Sequence, residues 1–240
     1  MKIVGMIPAR FKSTRFPGKP LANIKGKSLI KRVWDKAVQA IEHDHLYVLT
    51  DDEKIFKHCF EEGMQCLMTS QECLTGTDRV FEASKVIDAD IYINIQGDEP
   101  LIDPADIRKV IDKSILNPQK VINAMCPITN EDDFFSPSIP KVISSSSGKL
   151  LYISRSPIPF NKDKEFKMAM KQVCIYAFPK AELNKFGNYN KKTPIEMIED
   201  IEILRFLETG SDIEMIEVSQ SSIAVDHPED IERVLKSLND

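Results

Sequence analysis

The chain has 240 residues, of which 42% are hydrophobic and 29% are charged, and its formal net charge is −5. This composition is typical of a globular protein with a sizeable core and excludes a disordered chain. The acidic pI of about 5.5 argues against general nucleic-acid binding, which needs a broad basic face. No apolar run reaches roughly 18 residues and the N-terminus enters a strand directly, so the sequence predicts neither a membrane span nor a signal peptide.

The five cysteines are scattered along the chain. None of them forms a Cys-x-x-Cys pair, so their spacing indicates neither a disulfide framework nor a zinc knuckle. Reduced thiols, together with the lack of a targeting segment, predict a cytoplasmic protein.

The first half of the chain alternates apolar runs with amphipathic stretches. The apolar runs predict buried strands at 3–7, 46–50, 65–68, 91–95 and 121–126. Three-and-four spacing predicts helices between them, of which one begins at Pro104 with Asp103 as its cap. Because the strands are continuous apolar runs and alternate with helices, we expect an α/β fold with a mostly parallel sheet covered on both faces.

The pattern changes from about residue 129. Residues 131–140 are polar and contain prolines, and an irregular loop separates two further strands. We interpret 129–180 as an inserted β-rich segment within a single domain that spans 1–240. The later predicted elements are strands at 150–154, 173–177 and 213–218 and helices at 180–186, 194–207 and 228–238.

A stiff basic loop joins the first strand to the first helix. It carries Arg10, Arg15 and Lys19 among other cations, and no acidic residue occurs between Arg10 and Trp34. Prolines at 8, 17 and 20 stiffen the loop, and a stiff loop can hold charges in fixed directions. It lies at the edge where open α/β sheets bind ligands, although a solvated basic surface is the alternative interpretation.

A second loop reads Thr75-Gly76-Thr77-Asp78-Arg79 and falls at the predicted start of a helix. The backbone N–H groups of a helix N-terminus can hold an anion or the polar edge of a base. The same residues also suit an ordinary turn and N-cap, so both interpretations stay open.

Two carboxylates occupy prominent loop positions. Asp98 follows the strand at 91–95, beside Gly97, which lets a ligand come close to the backbone, and Asp226 precedes the terminal helix. Asp98 could belong to a plain turn, and Asp226 could be a helix cap. If the fold brings them together, they could bind Mg²⁺ beside phosphates, since this ion takes one or two carboxylates with phosphate oxygens and waters. Phosphoryl or nucleotidyl transfer requires basic side chains together with a pair of carboxylates that binds a metal ion.

Two common nucleotide-binding motifs are absent. The chain has no Gly-x-x-x-x-Gly-Lys-Ser/Thr loop, although 25–28 resembles its end, and no Gly-x-Gly-x-x-Gly after the first strand. These absences argue against a P-loop NTPase and against a dinucleotide-dependent enzyme.

The two loops and the segments around Asp98 and Asp226 together resemble the signature of the cytidylyltransferases that activate acidic sugars. Residues 7–20 read Ile-Pro-Ala-Arg-x-x-Ser-Thr-Arg-x-Pro-Gly-Lys-Pro, and 75–79, 96–100, 152–159 and 225–230 resemble the same family in the same order. The resemblance is greatest to the 3-deoxy-manno-octulosonate cytidylyltransferase (CMP-Kdo synthetase) family and runs nearly end to end.

The resemblance implies a Rossmann-like three-layer nucleotidyltransferase fold and a Mg²⁺-dependent transfer of CMP from CTP to Kdo, with release of pyrophosphate, for lipopolysaccharide or capsule synthesis. It implies catalytic roles for Arg10, Lys19 and Asp98, and metal binding by Asp98 and Asp226. The implied nucleotide-binding residues are Ala9, Arg10, Ser13, Arg15, Lys19, Thr75, Gly76 and Arg79. The implied sugar-binding residues are Gln96, Arg155, Gln172, Tyr176 and Glu202. The family is usually a homodimer joined through the inserted segment.

Two positions depart from the family pattern, and both belong to the sugar side. Gln172 stands where the family commonly has His, and Ile203 stands where it commonly has Gln. A site built to hydrogen-bond a sugar discriminates strongly through such groups. The same chemistry on another ulosonic acid or a modified Kdo is therefore an alternative, and a non-catalytic nucleotide-binding homologue is another.

Overall fold

The computed structural model describes residues 1–12, 15–219 and 223–238. The strands in this part of the chain are β1 (Ile3–Ala9), β2 (Asn23–Ile24), β3 (Lys27–Ser28), β4 (Leu46–Thr50), β5 (Cys66–Met68), β6 (Ile91–Ile95), β7 (Val121–Pro127), β8 (Lys141–Ser144), β9 (Leu150–Ser154), β10 (Met170–Pro179) and β11 (Ile213–Glu217). The helices are α1 (Leu29–Ala37), α2 (Glu53–Glu61), α3 (Gly76–Ser84), α4 (Pro104–Leu116), α5 (Glu131–Phe135), α6 (Lys180–Asn188), α7 (Pro194–Glu199), α8 (Ile203–Glu208) and α9 (Asp230–Ser237). None of these helices is long and apolar enough to cross a membrane.

A mostly parallel sheet forms the centre of the structure. The strand order is β11-β7-β10-β6-β1-β4-β5, with β8 and β9 attached beside β10. β1 is parallel to both β4 and β6, whereas β10 is antiparallel to both β6 and β7. All but the first residue of β1 are buried, as expected for a continuous apolar run in a sheet that is covered on both faces.

Helices cover both faces of the sheet and form two cores. On one face, Val33 of α1, Ile55 of α2 and Val110 of α4 are fully buried in a cluster with sheet residues. On the other face, Val80 of α3 and Leu183 of α6 are buried in the same way. The predicted α/β architecture with a covered, mostly parallel sheet is confirmed, and its layers number three. Because parallel strands end at one edge, the loops after β1 and β6 meet there.

The segment 129–180 joins the sheet. β8 and β9 pair with each other, and β10 returns between β6 and β7. β10 has 10 residues and is longer than predicted, since its first residues also pair with β8. The polar run contains one short helix, α5, whose N-cap is Asn130. The role of this segment in dimerisation, and the single domain at 1–240, stay predictions.

The single helix predicted at 194–207 is wrong. The structure has α7 and α8 instead, separated at Asp200, whose φ of 51° is left-handed. The break lets Arg205 Nε donate to Glu196 Oε2 at 2.7 Å, across nine positions of sequence. In one continuous helix this spacing is about two and a half turns and would place the two side chains on opposite faces. The buried ion pair therefore favours two helices.

Asp226 is not a helix cap. α9 begins at Asp230, later than predicted, and the Asp230 carboxylate accepts hydrogen bonds from the N–H groups of Asp226 at 2.9 Å and His227 at 2.8 Å. This turn leaves the Asp226 carboxylate to meet the basic loop.

Candidate active site

A cavity of about 650 Å³ lies at the sheet edge where the loops after β1 and β6 meet, beside residues of β10. Every predicted site residue in the described ranges lines it. These residues are Ala9, Arg10, Arg15, Lys19, Thr75, Gly76, Arg79, Gln96, Asp98, Arg155, Gln172, Tyr176, Glu202 and Asp226. Ser13 lies outside the described residues. The fold thus brings sequence-distant loops to one place, while the individual roles stay predictions.

Lys19 connects the two predicted metal ligands. Its Nζ donates to Asp98 Oδ2 at 2.8 Å and to the Val225 carbonyl oxygen at 2.8 Å. The same atom lies 3.7 Å from Asp226 Oδ1, to which Arg15 Nη2 donates at 3.0 Å. The two carboxylates therefore converge on one ammonium group. The fold thus brings Asp98 and Asp226 together, which the sequence alone left undecided.

Glycines fix the backbone around this corner. Gly18 has a φ of 71°, and its N–H donates to the Phe11 carbonyl oxygen at 2.9 Å. A Cβ at Gly18 would lie 3.2 Å from the Phe11 ring. At Gly97 an added Cβ would lie 2.7 Å from the carbonyl oxygen of Pro8, so the chain's own backbone takes the room that this glycine leaves. Gly97 also lines the cavity, and its close approach to a ligand stays a prediction.

Two side chains cap the N-terminus of α3. Thr75 is the N-cap, and its hydroxyl accepts from the Asp78 N–H at 3.1 Å. Glu202, which is distant in sequence, accepts from the Gly76 N–H at 3.1 Å, the Thr77 N–H at 2.8 Å and the Thr77 hydroxyl at 2.5 Å. Burial raises the pKa of Glu202, and these hydrogen bonds oppose the rise. A residue predicted for the sugar side therefore also fixes the nucleotide-side loop.

Arg79 lines the cavity, although only 4% of the residue is exposed. Its Nη2 lies 3.3 Å from Asp51 Oδ2, and its Nη1 donates to the Thr69 hydroxyl and, at 3.4 Å, to the Ser70 carbonyl oxygen. These contacts hold the guanidinium in one direction. Its contact with cytidine stays a prediction.

Arg205 is the centre of an ion network that the sequence did not predict. It is fully buried and donates two hydrogen bonds to Asp78, at 2.7 and 3.1 Å, and two to Glu196, both at 2.7 Å. Its guanidinium also lies 3.8 Å from the centre of the Phe186 ring. The network ties α3 to α7 and α8 and so supports the loop that begins at Thr75. The available sequence signal is a single arginine within the apolar run of α8.

Three backbone carbonyls hold Arg155 at the wall of the cavity. Its Nε, Nη1 and Nη2 donate to the carbonyl oxygens of Glu199 (2.6 Å), Pro137 (2.9 Å) and Asp200 (3.0 Å) respectively. Lys141, a buried residue that the sequence did not single out, donates to the Arg155 carbonyl oxygen at 2.6 Å. Burial and the Arg155 charge lower the pKa of Lys141 to about 8.

β10 contributes Gln172 and Tyr176. Tyr176 is 6% exposed and lies opposite Asn94 of β6, and burial raises the pKa of its phenol, which therefore keeps its proton. Both amide atoms of Asn94 are buried without a hydrogen-bond partner in the described part of the chain. Gln172 Nε2 donates to Asn123 Oδ1 at 2.9 Å.

The donor set at Asp98 and Asp226 fits Mg²⁺. This ion prefers oxygen ligands, and one or two carboxylates suffice when phosphate oxygens and waters complete its shell. Across residues 1–12, 15–219 and 223–238, no group of three or more His, Cys, Asp or Glu side chains could hold a metal ion by itself. The Lys19 ammonium lies in contact with both carboxylates, which also indicates that a cation suits this position.

Comparison with known proteins identifies the family. The cytidylyltransferase family model matches residues 4–213. The chain is 38% identical over 242 residues to 3-deoxy-manno-octulosonate cytidylyltransferase of Christiangramia forsetii, and the alignment covers 99% of this chain and 97% of that protein. It is 39% identical over 250 residues to the enzyme of the same name from Geobacter sulfurreducens, with 99% of this chain and 100% of that protein covered.

A solved structure gives the same result. The fold matches that of a CMP:2-keto-3-deoxy-manno-octonic acid synthetase complexed with CTP, with a TM-score of 0.92, 34% identity and coverage of 100% of this chain and 99% of that one. This match confirms the nucleotidyltransferase fold. The chain therefore belongs to the 3-deoxy-manno-octulosonate cytidylyltransferase family of nucleotidyltransferases.

Proposed function

We propose that this protein transfers CMP from CTP to Kdo and releases pyrophosphate, with Mg²⁺ as cofactor, and that the product serves lipopolysaccharide or capsule synthesis. The observation that carries the proposal is the convergence of Asp98 and Asp226 on Lys19, in a cavity that also holds the loop at the start of α3 and part of β10. The names of the relatives support Kdo as the acceptor, and the CTP complex of the matched synthetase supports the nucleotide.

The reaction requires a stabilised leaving group. The anomeric hydroxyl oxygen of Kdo forms a bond to the α-phosphorus of CTP, the bond from that phosphorus to the bridging oxygen breaks, and the hydroxyl proton passes to solvent water. Negative charge accumulates on the departing pyrophosphate. Arg10, Arg15 and Lys19 supply positive charge for this group, on a loop in which the Gly18 N–H bonds the Phe11 carbonyl oxygen.

Lys19 has two sets of partners in this scheme. In the free protein its ammonium neutralises Asp98 and Asp226. Mg²⁺ held by these two carboxylates would neutralise phosphate charge and polarise the attacked phosphorus. With Asp98 and Asp226 holding Mg²⁺, the Lys19 ammonium would bind the phosphate oxygens instead of the two carboxylates.

The base and the sugar occupy adjacent parts of the cavity. The proposed cytidine site consists of Ala9, Thr75, Gly76 and Arg79. The proposed sugar site consists of Gln96, Arg155, Gln172, Tyr176 and Glu202. Arg155 suits an acidic sugar because three carbonyls use only three of its five N–H groups and orient the others.

Pyrophosphate release from CTP tests the proposal across a panel of sugar acids that includes Kdo, a modified Kdo and another ulosonic acid. Release with Kdo at the highest kcat/KM supports it. Release only with another acid would keep the chemistry and replace the substrate. CTP binding in calorimetry without release from any acid would identify a non-catalytic nucleotide-binding homologue. Chelation of Mg²⁺ and replacement of CTP by UTP are the controls.

We also propose a homodimer joined through the segment 129–180. This segment exposes Leu151, Phe160 and Met168 by 54%, 55% and 75%. Exposed apolar side chains of this size often mark an interface. Leu151→Glu should convert dimer to monomer in analytical ultracentrifugation, whereas Phe60→Glu, at an 80% exposed position outside the segment, should not. A wild-type protein that sediments as a monomer would contradict the dimer.

We place the reaction in the cytoplasm. All five cysteines are free, which fits a reducing compartment. Cell fractionation with an antibody against the protein tests this location, and recovery in a non-cytoplasmic fraction would contradict it.

A further inference from the structure

Asn123 occupies an irregular place in the sheet. It lies on β7, is fully buried, and faces the part of β10 where the strand register shifts between Val173 and Tyr176. Its Nδ2 donates to the carbonyl oxygens of Val173 and Ile175, each at 3.0 Å. The side chain thus bonds the backbone of the bulge, where a regular ladder is interrupted.

These two bonds determine which way the Asn123 amide points. An amide nitrogen only donates and an amide oxygen only accepts, so the end that faces two carbonyl oxygens must be nitrogen. Oδ1 is therefore at the other end, where Gln172 Nε2 donates to it at 2.9 Å. A flip of either amide would bring two acceptors or two donors together.

The orientation of Gln172 follows from that of Asn123. Its Nε2 is committed to the protein, and its Oε1 accepts no hydrogen bond from a residue in the described ranges. Gln172 lines the cavity beside Tyr176 and Arg155, and it is only partly buried. The acceptor of this side chain is thus the atom left for a ligand.

We propose that Asn123 is a positioning residue that makes Gln172 offer a hydrogen-bond acceptor to the sugar, so that the site selects a donor group, a hydroxyl or an amino group, at that point. This inference rests on the proposed function, because it concerns the acceptor substrate of the same cavity. Without Asn123, Gln172 could turn either amide end to the ligand and would accept donors and acceptors alike.

The test uses Kdo and a set of analogues in which each hydroxyl other than the anomeric one is replaced in turn by fluorine. Fluorine keeps the size and cannot donate. In the wild-type enzyme one analogue should lose about 10- to 100-fold in kcat/KM, as expected when an acceptor that the substrate covers is left unpaired, with an unchanged KM for CTP. In Gln172→Met and in Asn123→Leu the same analogue should differ from Kdo by less than about threefold. Gln39→Met, remote from the cavity, is the matched control.

A measurement on the wild-type enzyme covers the case in which Asn123→Leu does not fold. The side-chain amide protons of Asn123 should exchange with solvent much more slowly than those of Gln39, which lie at an exposed hydrogen bond. Equal exchange rates, or an analogue loss that persists in Gln172→Met, would overturn the inference. Failure of wild-type enzyme to use Kdo would instead overturn the proposed function, and the exchange rates would still decide whether Asn123 fixes its neighbour.

Discussion

Lys19 donates from Nζ to Asp98 Oδ2 at 2.8 Å, and the Lys19 side chain is only 16% exposed. The bond joins a residue of the first loop to one that follows β6, across 79 positions of sequence. Because Asp226 also approaches this ammonium, the protein carries a cation at the place where two carboxylates meet. The contact brings Lys19, which is predicted to bind the triphosphate, to the same corner of the cavity as Asp98 and Asp226, which are predicted to bind the metal ion.

Lys19→Met should lower kcat/KM for pyrophosphate release by about 30- to 1,000-fold, which corresponds to roughly 2–4 kcal/mol for one preorganised electrostatic contact. The methionine keeps the length of the side chain and removes its charge. Lys12→Met is the matched control, because Lys12 is exposed in the same loop. Equal kinetics in the two variants would contradict the proposed role of Lys19 and favour the interpretation of the basic loop as a solvated surface.

Asp98→Asn should abolish Mg²⁺-dependent turnover, with a loss on the order of 100-fold or more, because an amide oxygen without charge is a weaker ligand for Mg²⁺. A Mg²⁺ titration of the rate measures the effect, and the circular dichroism spectrum should stay unchanged. Asp132→Asn, at an exposed acid, should titrate like wild type. Near-normal turnover of Asp98→Asn would remove this residue from the metal site.

Glu202→Gln should lower the free energy of unfolding by about 1–3 kcal/mol and raise the KM for CTP. The new amide nitrogen would face N–H or hydroxyl donors at the start of α3 and leave at least one of them unpaired. Urea denaturation and CTP titration measure the two effects. Glu229→Gln, at an exposed position, should change neither. A normal KM for CTP would separate Glu202 from the nucleotide side.

Lys141 should make stability depend on alkaline pH. Its folded-state pKa of about 8 lies below the ordinary value of 10.5, so between these values the unfolded chain binds more protons than the folded chain. The wild type should therefore gain stability relative to Lys141→Met as pH rises through this range, by at most about 3 kcal/mol. Chemical denaturation of both proteins at several pH values measures the difference. A difference that stays flat or falls would show that the ammonium is not disfavoured by burial.

Arg205→Met should reduce the free energy of unfolding by about 3–5 kcal/mol, because it leaves the Asp78 and Glu196 carboxylates without their buried partner. Urea denaturation measures the loss. Arg233→Met is the control, since that side chain is 64% exposed and its ion pair with Asp230 is long, at 3.7 Å. Similar stabilities of the two variants would contradict a structural role for the network.

Local sequence patterns predicted much of the fold. β6 was predicted and observed at Ile91–Ile95, because a continuous apolar run is typical of a central parallel strand. α4 begins at Pro104 with Asp103 as its cap, as the residue types indicate. The prediction of one helix at 194–207 was wrong because the buried pair between Arg205 and Glu196, nine positions apart, favours a break between them. The apolar spacing of that stretch does not show which charged side chains will pair.

The candidate site, like the fold, could be predicted from the sequence only in part. Strand ends and loop chemistry predicted which residues would line the cavity, including Asp98 and Asp226. They did not predict the hydrogen bonds between those residues, because the partners are far apart in sequence. Glu202 and Thr77, for example, are separated by 125 positions, and only the folded arrangement of α3 beside α8 brings them together.

The most direct test of the central claim is phosphorus NMR of a reaction that contains the protein, CTP, Kdo and Mg²⁺. Transfer of CMP predicts that the three CTP signals give way to one phosphodiester signal and one pyrophosphate signal, in equal molar amounts. The Asp98→Asn variant should leave the CTP signals unchanged. Intact CTP in the presence of the wild-type protein, under conditions where calorimetry shows that CTP binds, would contradict the claim.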